Sequence, residues 1–135
     1  LKSVFFCSRE ASKVMKGRGW GRIVNMGSVA GKTGGSTSGI HYCTSKAGVM
    51  YLTRNFAYHL APYGITVNAI APGTIETNMT DNWTPVVKAE LINKTPVARL
   101  GKVSDIAAGV IFLASEQAEY ITGEVLNING GYLMD

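Results

Sequence analysis

The sequence is poor in cysteine and proline and has no long apolar run. Its 135 residues include two cysteines, Cys7 and Cys43, too few for a disulfide framework, so a reducing, cytoplasmic setting is expected. No stretch approaches the roughly 20 apolar residues of a membrane helix, and no basic-then-apolar leader with a cleavage site opens the chain; no membrane association is expected. Two histidines and scattered carboxylates show no metal-ligand spacing, so no metal is expected. Charged residues make up only 16%, against 46% hydrophobic, which excludes a disordered polyelectrolyte and describes a folded domain. The length suits one domain and excludes a two-domain enzyme. The first residue is Leu1, which suggests that something was removed or that the chain is part of a longer polypeptide. There are no internal repeats and no linker.

Charge is unevenly spread. Six bases stand against one acid among the first 22 residues, and seven bases against eight acids in the rest. Such a strip can face nucleic acid, an anionic carrier protein or acidic lipid. The bases are spread around an amphipathic segment, however, and no aromatics alternate with them for base stacking. A solvated helix face is the preferred reading, and no nucleic-acid partner is expected.

Hydrophobic spacing predicts a helix over Leu1–Lys16, with Val4, Cys7, Ala11, Val14 and Met15 on its buried face. Gly17, Gly19 and Gly21 break it. Arg22–Met26 reads as a short buried strand, and Lys32–Gly39, rich in Gly, Ser and Thr, as a loop. A second helix is expected from about His41 to Ala61 on a Val49, Leu52, Phe56 and Leu60 stripe, with Pro62 beyond. Ile65–Ile70 is a second strand, closed by Ala71-Pro72-Gly73. A short helix is expected near Val86–Asn93. A third long helix is expected after Ser104 and Asp105 as caps, burying Ile106, Ala107, Val110, Ile111 and Ala114. Val125–Ile128 is a third strand. Strands alternating with helices favour a parallel sheet covered on both faces, the doubly wound α/β class. Only one βαβαβ half of a dinucleotide-binding fold is present.

The densest chemistry is Ser28, leaving the first strand, and Tyr42-Cys43-Thr44-Ser45-Lys46, opening the second helix. A Tyr and a Lys four apart share one helix face, so phenol and ammonium can converge. A phenol is a poor proton shuttle at neutral pH; an adjacent ammonium favours its ionised form. Ser28 leaves the carboxyl end of a strand, where open α/β sheets bind ligands, and its hydroxyl could orient a carbonyl or alcohol toward Tyr42. With six tyrosines and eight lysines in the chain, the spacing alone is weak and reads equally as an exposed pair at a helix start. His41, His59, Cys43, Trp20 and Trp83 are read as surface, packing or loop residues, and Asn68 as bonding local backbone.

The ordered set of motifs says more. Asn25-Met26-Gly27-Ser28-Val29-Ala30-Gly31, Tyr42-x-x-x-Lys46-Ala47-Gly48, Gly64 through Gly73, and Ile121-Thr122-Gly123-Glu124-Val125 through Asn129-Gly130-Gly131 closely resemble the short-chain dehydrogenase/reductase family. The resemblance spans nearly the whole chain and is strongest toward the 3-oxoacyl-(acyl-carrier-protein) reductases. It implies a Rossmann-type fold, represented by its second half as a single incomplete domain over residues 1–135. It implies NAD(P)-dependent interconversion of a carbonyl and a secondary alcohol. By that resemblance Tyr42 exchanges the proton, Lys46 assists it and binds the nicotinamide ribose, and Ser28 holds the reacting oxygen. Pro72 and Gly73 would line the nicotinamide pocket, Ile75 and Thr77 would contact its carboxamide end, and Met79 to about Leu100 would form the substrate loop. The cofactor is NADP or NAD, and the partners are a small carbonyl, alcohol or acyl-thioester substrate and a second copy of the chain, as a dimer or tetramer.

Some family features are missing. No Gly-x-x-x-Gly-x-Gly string, no Asn-Asn-Ala-Gly motif and no cofactor-selecting strand end occurs, and the family's catalytic asparagine would lie just before Leu1. Pyrophosphate affinity comes largely from amides at a helix N-terminus. The 135 residues alone are therefore expected to bind nicotinamide cofactor weakly or not at all and to be inactive alone, with an unpaired edge on the first strand. Tyr63 stands where carrier-protein reductases usually have a basic residue, which leaves acyl-CoA, sugars and other alcohols open. A second reading is a non-catalytic oligomerising module, because the resemblance places the family's association helices within this chain.

Overall fold

The computed structural model describes residues 1–33, 38–78 and 80–135. Residues 34–37 of the expected Lys32–Gly39 loop, and Met79 at the head of the expected substrate loop, lie outside the described residues. The elements run α1 (Lys2–Arg18), β1 (Gly21–Met26), α2 (Ile40–Leu60), β2 (Ile65–Pro72), α3 (Pro85–Asn93), α4 (Val103–Ala114) and β3 (Val125–Ile128), with one-turn 3-10 segments at Val29–Gly31, Ala61–Tyr63 and Glu116–Ala118. The strands form a parallel sheet in the order β1-β2-β3. Gly21 pairs with Ile65 through to Met26 with Ile70, and Ala69 pairs with Val125 through to Pro72 with Ile128. This is the doubly wound, Rossmann-type arrangement expected from the alternation of strands and helices.

Strand β2 is apolar almost throughout because both of its faces are covered. Ile65 and Val67 pack with Ala57, Leu60, Met15, Ile23 and Phe56, and Ala69 and Ala71 with Met50, Val125 and Ala47. On the other face Ile70 meets Leu113 and Ala118, with Val24, Ile106, Val110, Leu126 and Ile128 around them. Asn68, fully buried in this strand, donates from Nδ2 to the Ile121 carbonyl at 2.8 Å and accepts from the Glu124 amide at 3.0 Å. Its partners are distant in sequence, which corrects the expectation of a local bond. The side-chain amide stitches β2 to the chain entering β3.

Two helix faces differ from their predicted stripes. In α1 the buried residues are Ser8 and Ser12, while Cys7 and Val14 are exposed. Small side chains let the helix approach its neighbours closely, and Ser12 satisfies its hydroxyl on the Arg9 carbonyl at 2.8 Å. In α4 the packed residues are Ile106, Val110 and Leu113, while Ala107, Ile111 and Ala114 face outward. Gly109 lies on the inward side with the packed residues: a Cβ there would overlap Ile128 Cδ1, so the missing side chain lets α4 sit close against β3 along Ile106, Val110 and Leu113. The start of α4 also moves, since Lys102 is its N-cap and Asp105 lies within the first turn, accepting from the Lys102 amide at 2.7 Å.

Candidate active site

The carboxyl end of β1, the turn after it and the start of α2 meet at one place. Ser28 has extended backbone and caps the Val29–Gly31 turn, its Oγ accepting from the Ala30 amide at 3.2 Å. The side chain is largely buried and its hydroxyl hydrogen is still available to donate. Gly31 brings this turn onto the helix. A Cβ at residue 31 would lie 2.6 Å from the Ala47 nitrogen and 2.8 Å from the Lys46 carbonyl carbon, so only glycine permits that approach.

Tyr42 sits in the first turn of α2 and is 39% exposed. Lys46, one turn on, places Nζ 5.7 Å from the centroid of the Tyr42 ring and donates to the Met26 carbonyl at 2.8 Å. Phenol and ammonium thus lie together on one face, as the spacing predicts. Among the described residues no hydrogen bond joins Ser28 Oγ to the Tyr42 hydroxyl. The Met26 carbonyl is the one participant that sequence reasoning could not find, because a main-chain oxygen leaves no signature in residue type.

The remaining candidates lie along the exits of β2. Pro72 ends that strand and the Gly73 amide donates to the Ile128 carbonyl at 3.0 Å. Ile75 forms an isolated parallel bridge with Gly101, with Glu76 N–H bonding to the Gly101 carbonyl at 2.8 Å and Gly101 N–H to the Thr74 carbonyl at 2.9 Å. The Thr77 amide donates to Thr80 Oγ1 at 3.0 Å, and the Thr80 hydroxyl donates back to the Thr77 carbonyl at 2.8 Å. Ile75 also lines a cavity of about 370 Å³ with Thr74, Val97, Arg99, Asp105 and Ile128. A shallower cavity of about 720 Å³ lies near Arg54, His59 and Tyr63. Neither is lined by Ser28, Tyr42 or Lys46; those three side chains stand on the open end of the sheet.

Two charged clusters hold the neighbouring loops. Arg99 grips Asp105 through Nη1 at 2.7 Å and Nη2 at 3.2 Å. That guanidinium, aided by the Lys102 amide, brings the Asp105 carboxyl down to about 2, and the carboxylate in turn raises Arg99. Lys32, just past the Ser28 turn, donates to Asn127 Oδ1 at 3.0 Å and to Asp135 Oδ1 at 3.1 Å. Asn127 first, then Lys32, lowers the Asp135 carboxyl below its ordinary range. Among the described residues no group of three His, Cys, Asp or Glu side chains is placed to hold a metal ion, and no helix is long and apolar enough to cross a membrane.

A serine just past a parallel strand's carboxyl end, with a tyrosine and a lysine one helical turn apart on the adjoining helix, lies in one half of a doubly wound domain. Comparison with known proteins specifies it further. A family model described as Enoyl-(Acyl carrier protein) reductase matches residues 1–133. The 3-oxoacyl-(acyl-carrier-protein) reductase FabG of Rickettsia felis is 43% identical over 134 residues, covering 99% of this chain and 55% of that protein. The crystal structure of a 3-oxoacyl-(acyl-carrier protein) reductase from Brucella melitensis superposes with a TM-score of 0.95 at 37% identity, covering 99% of this chain and 50% of the other. A second such reductase from Brucella melitensis, solved with bound NAD, gives a TM-score of 0.91 at 36% identity, covering 99% and 49%. The chain belongs to the short-chain dehydrogenase/reductase family of oxidoreductases and is similar, within it, to 3-oxoacyl-(acyl-carrier-protein) reductases. It spans about half the length of the curated relatives it matches.

Proposed function

We propose that these residues are the catalytic second half of an NAD(P)-dependent reductase that interconverts a 3-oxoacyl thioester and its 3-hydroxy form. The observation that carries the reading is the tether from Lys46 Nζ to the Met26 carbonyl. It fixes an ammonium beside the Tyr42 ring, at the end of the strand that delivers Ser28. The Tyr42 hydroxyl gives its proton to the carbonyl oxygen in reduction and takes it back in oxidation. Ser28 donates its hydroxyl hydrogen to the same oxygen and so orients it toward Tyr42. The Lys46 ammonium stabilises the phenolate left behind.

A nicotinamide dinucleotide suits the donors at this end of the sheet. Lys46 has three N–H donors, of which the Met26 carbonyl takes one, leaving two for ribose hydroxyls. Tyr42 borders the same place, and Pro72, Gly73, Ile75 and Thr77 would border the nicotinamide. When bound, that group supplies or accepts the hydride. The pyrophosphate-binding glycine fingerprint does not occur in these 135 residues, so the isolated chain binds NADH and NADPH weakly and is inactive alone. Isothermal titration tests this, and micromolar binding would refute it. The catalytic assignment is tested by Tyr42→Phe in a reductase of full family length carrying these residues. Turnover should fall by about 10²–10⁴-fold while cofactor binding persists; retained turnover would exclude the tyrosine role.

Self-association is supported separately. Phe5, Phe6, Tyr51, Tyr58, Ile111 and Phe112 are exposed on α1, α2 and α4, a large apolar area for a monomer to leave in water. Light scattering should show a dimer or tetramer, and a stable monomer would count against this reading.

A further inference from the structure

We infer that Asn25 and Thr53 are positioning residues that set where β1 holds the Met26 carbonyl, and through it where Lys46 stands. The functional meaning of this inference rests on the proposed role of Lys46; its geometry does not.

Asn25 is buried, and its Nδ2 donates to Thr53 Oγ1 at 3.0 Å. Thr53 is fully buried, and its hydroxyl donates onward to the Val49 carbonyl at 2.9 Å. Asn25 immediately precedes Met26, and Thr53 lies seven residues, about two helical turns, beyond Lys46, so the two helical residues share a face. The same strand and the same helix are therefore cross-linked twice: Lys46 to the Met26 carbonyl at the open end, and Asn25 to Thr53 beneath it. Among the described residues, Asn25–Thr53 is the one side-chain to side-chain hydrogen bond between β1 and α2.

The location argues for orientation above stability. Asn25 pairs with Ala69 in the β1–β2 ladder, and Thr53 lies between Met50 and Ala57 among the buried residues of α2, so both side chains stand beside apolar neighbours. An amide and a hydroxyl are costly to bury unless paired, and replacing both partners by apolar groups of like shape can be nearly neutral. A hydrogen bond adds direction and distance, fixed to a few tenths of an ångström, whereas apolar contacts allow sliding. The β1–β2 ladder sets the register of β1 from Gly21 to Met26 without fixing its distance from α2. Its tilt toward α2 is otherwise held by packing alone, and a shift of 1 Å would break the 2.8 Å link from Lys46 to Met26.

Competitive acetylation with limiting acetic anhydride, read by mass spectrometry on the 135-residue chain, reports how firmly Lys46 is held, with exposed Lys94 as internal reference. Thr53→Val should raise Lys46 labelling relative to Lys94 about fivefold, the factor one lost hydrogen bond is worth. Thr53→Ser, which keeps the hydroxyl, should stay within about twofold of the parent. The Asn25→Leu/Thr53→Val double variant leaves no unpaired buried group, so it should melt close to the parent yet label like Thr53→Val. An unchanged Lys46 ratio in folded Thr53→Val or in the double variant would overturn the inference. So would equal labelling of the Val and Ser variants, or failure of both Val-containing variants to fold, since the pair would then support the whole fold. Acetylation needs no turnover, so the result stands apart from the Tyr42→Phe test: an active Tyr42→Phe enzyme removes the proposed function without touching the positioning result. In an active full-length enzyme, Thr53→Val should lower kcat more than it alters KM, with Thr53→Ser restoring it.

Discussion

Strands β1 and β2 lie side by side in perfect register and have similar sequences, yet they live in different surroundings. Arg22-Ile23-Val24-Asn25-Met26 and Ile65-Thr66-Val67-Asn68-Ala69-Ile70 both read as β-branched runs with one asparagine. In the structure β2 is buried at every position but its last, while β1 is fully buried only at Gly21 and Asn25 and ends on an exposed Met26. Among the described residues β2 has a ladder on both edges and β1 on one. The two asparagines follow suit. Asn68 bonds main chain on the way to β3 and fixes sheet topology, whereas Asn25 bonds a helix side chain and fixes the strand's tilt. The central strand is built for burial, whereas β1 ends exposed at Met26, just before the Ser28 turn.

The sharpest way to break this comparison is to truncate one isoleucine in each strand. Ile70→Ala should cost about 3–5 kcal/mol, and half-buried Ile23→Ala about 1–2 kcal/mol, measured by urea unfolding; equal losses would end the distinction. Asn68→Ala should come next, at about 2–4 kcal/mol, because it strands a buried carbonyl and amide. Gly31→Ala should cost about 1–3 kcal/mol through overpacking against the α2 backbone, and should displace the Ser28 turn, visible as shifted Ser28 and Lys46 resonances. Hydrogen exchange sharpens the same contrast: β2 amides should be the slowest in the sheet, with the outward-facing amides of β1 faster.

The smallest effect concerns Asp105, on the helix that covers the Ile70 face. Its carboxyl, held by Arg99 and then by the Lys102 amide, ionises at about 2 against an ordinary 3.8. The folded state thus gains from the charged form above about pH 4 and loses that gain as pH falls through about 2. Asp105→Asn should flatten the dependence of unfolding midpoint on pH between about 4 and 2 and change little at pH 7; an unaltered profile would show that the pair does not couple to folding.

Much of the fold was legible in the residues. Local patterns located β1, β2 and β3, the three long helices and the short α3 to within a few residues, because β-branched runs, apolar stripes and glycine breaks are local signals. The faces were less legible. Ser8 and Ser12 on α1 are buried, and Gly109 on α4 is a point of close approach; hydrophobicity alone ranks such small residues low. At the candidate site, the Tyr42–Lys46 juxtaposition followed from helical spacing. Met26 was invisible because its oxygen is common to every residue, and Thr53 because a threonine in a helix carries no mark of its partner.

By itself the sequence determined element type, the parallel α/β class, the family motifs and the shared face of Tyr42 and Lys46, all of which depend on neighbours within a few positions. Tertiary structure alone decided which stripe of α1 and of α4 turns inward, which groups Asn25 and Asn68 bond, and which carbonyl receives the Lys46 ammonium. Those outcomes depend on contacts between segments 20 to 60 residues apart, where side-chain volume and hydrogen-bond direction are tested against surfaces that no local pattern describes.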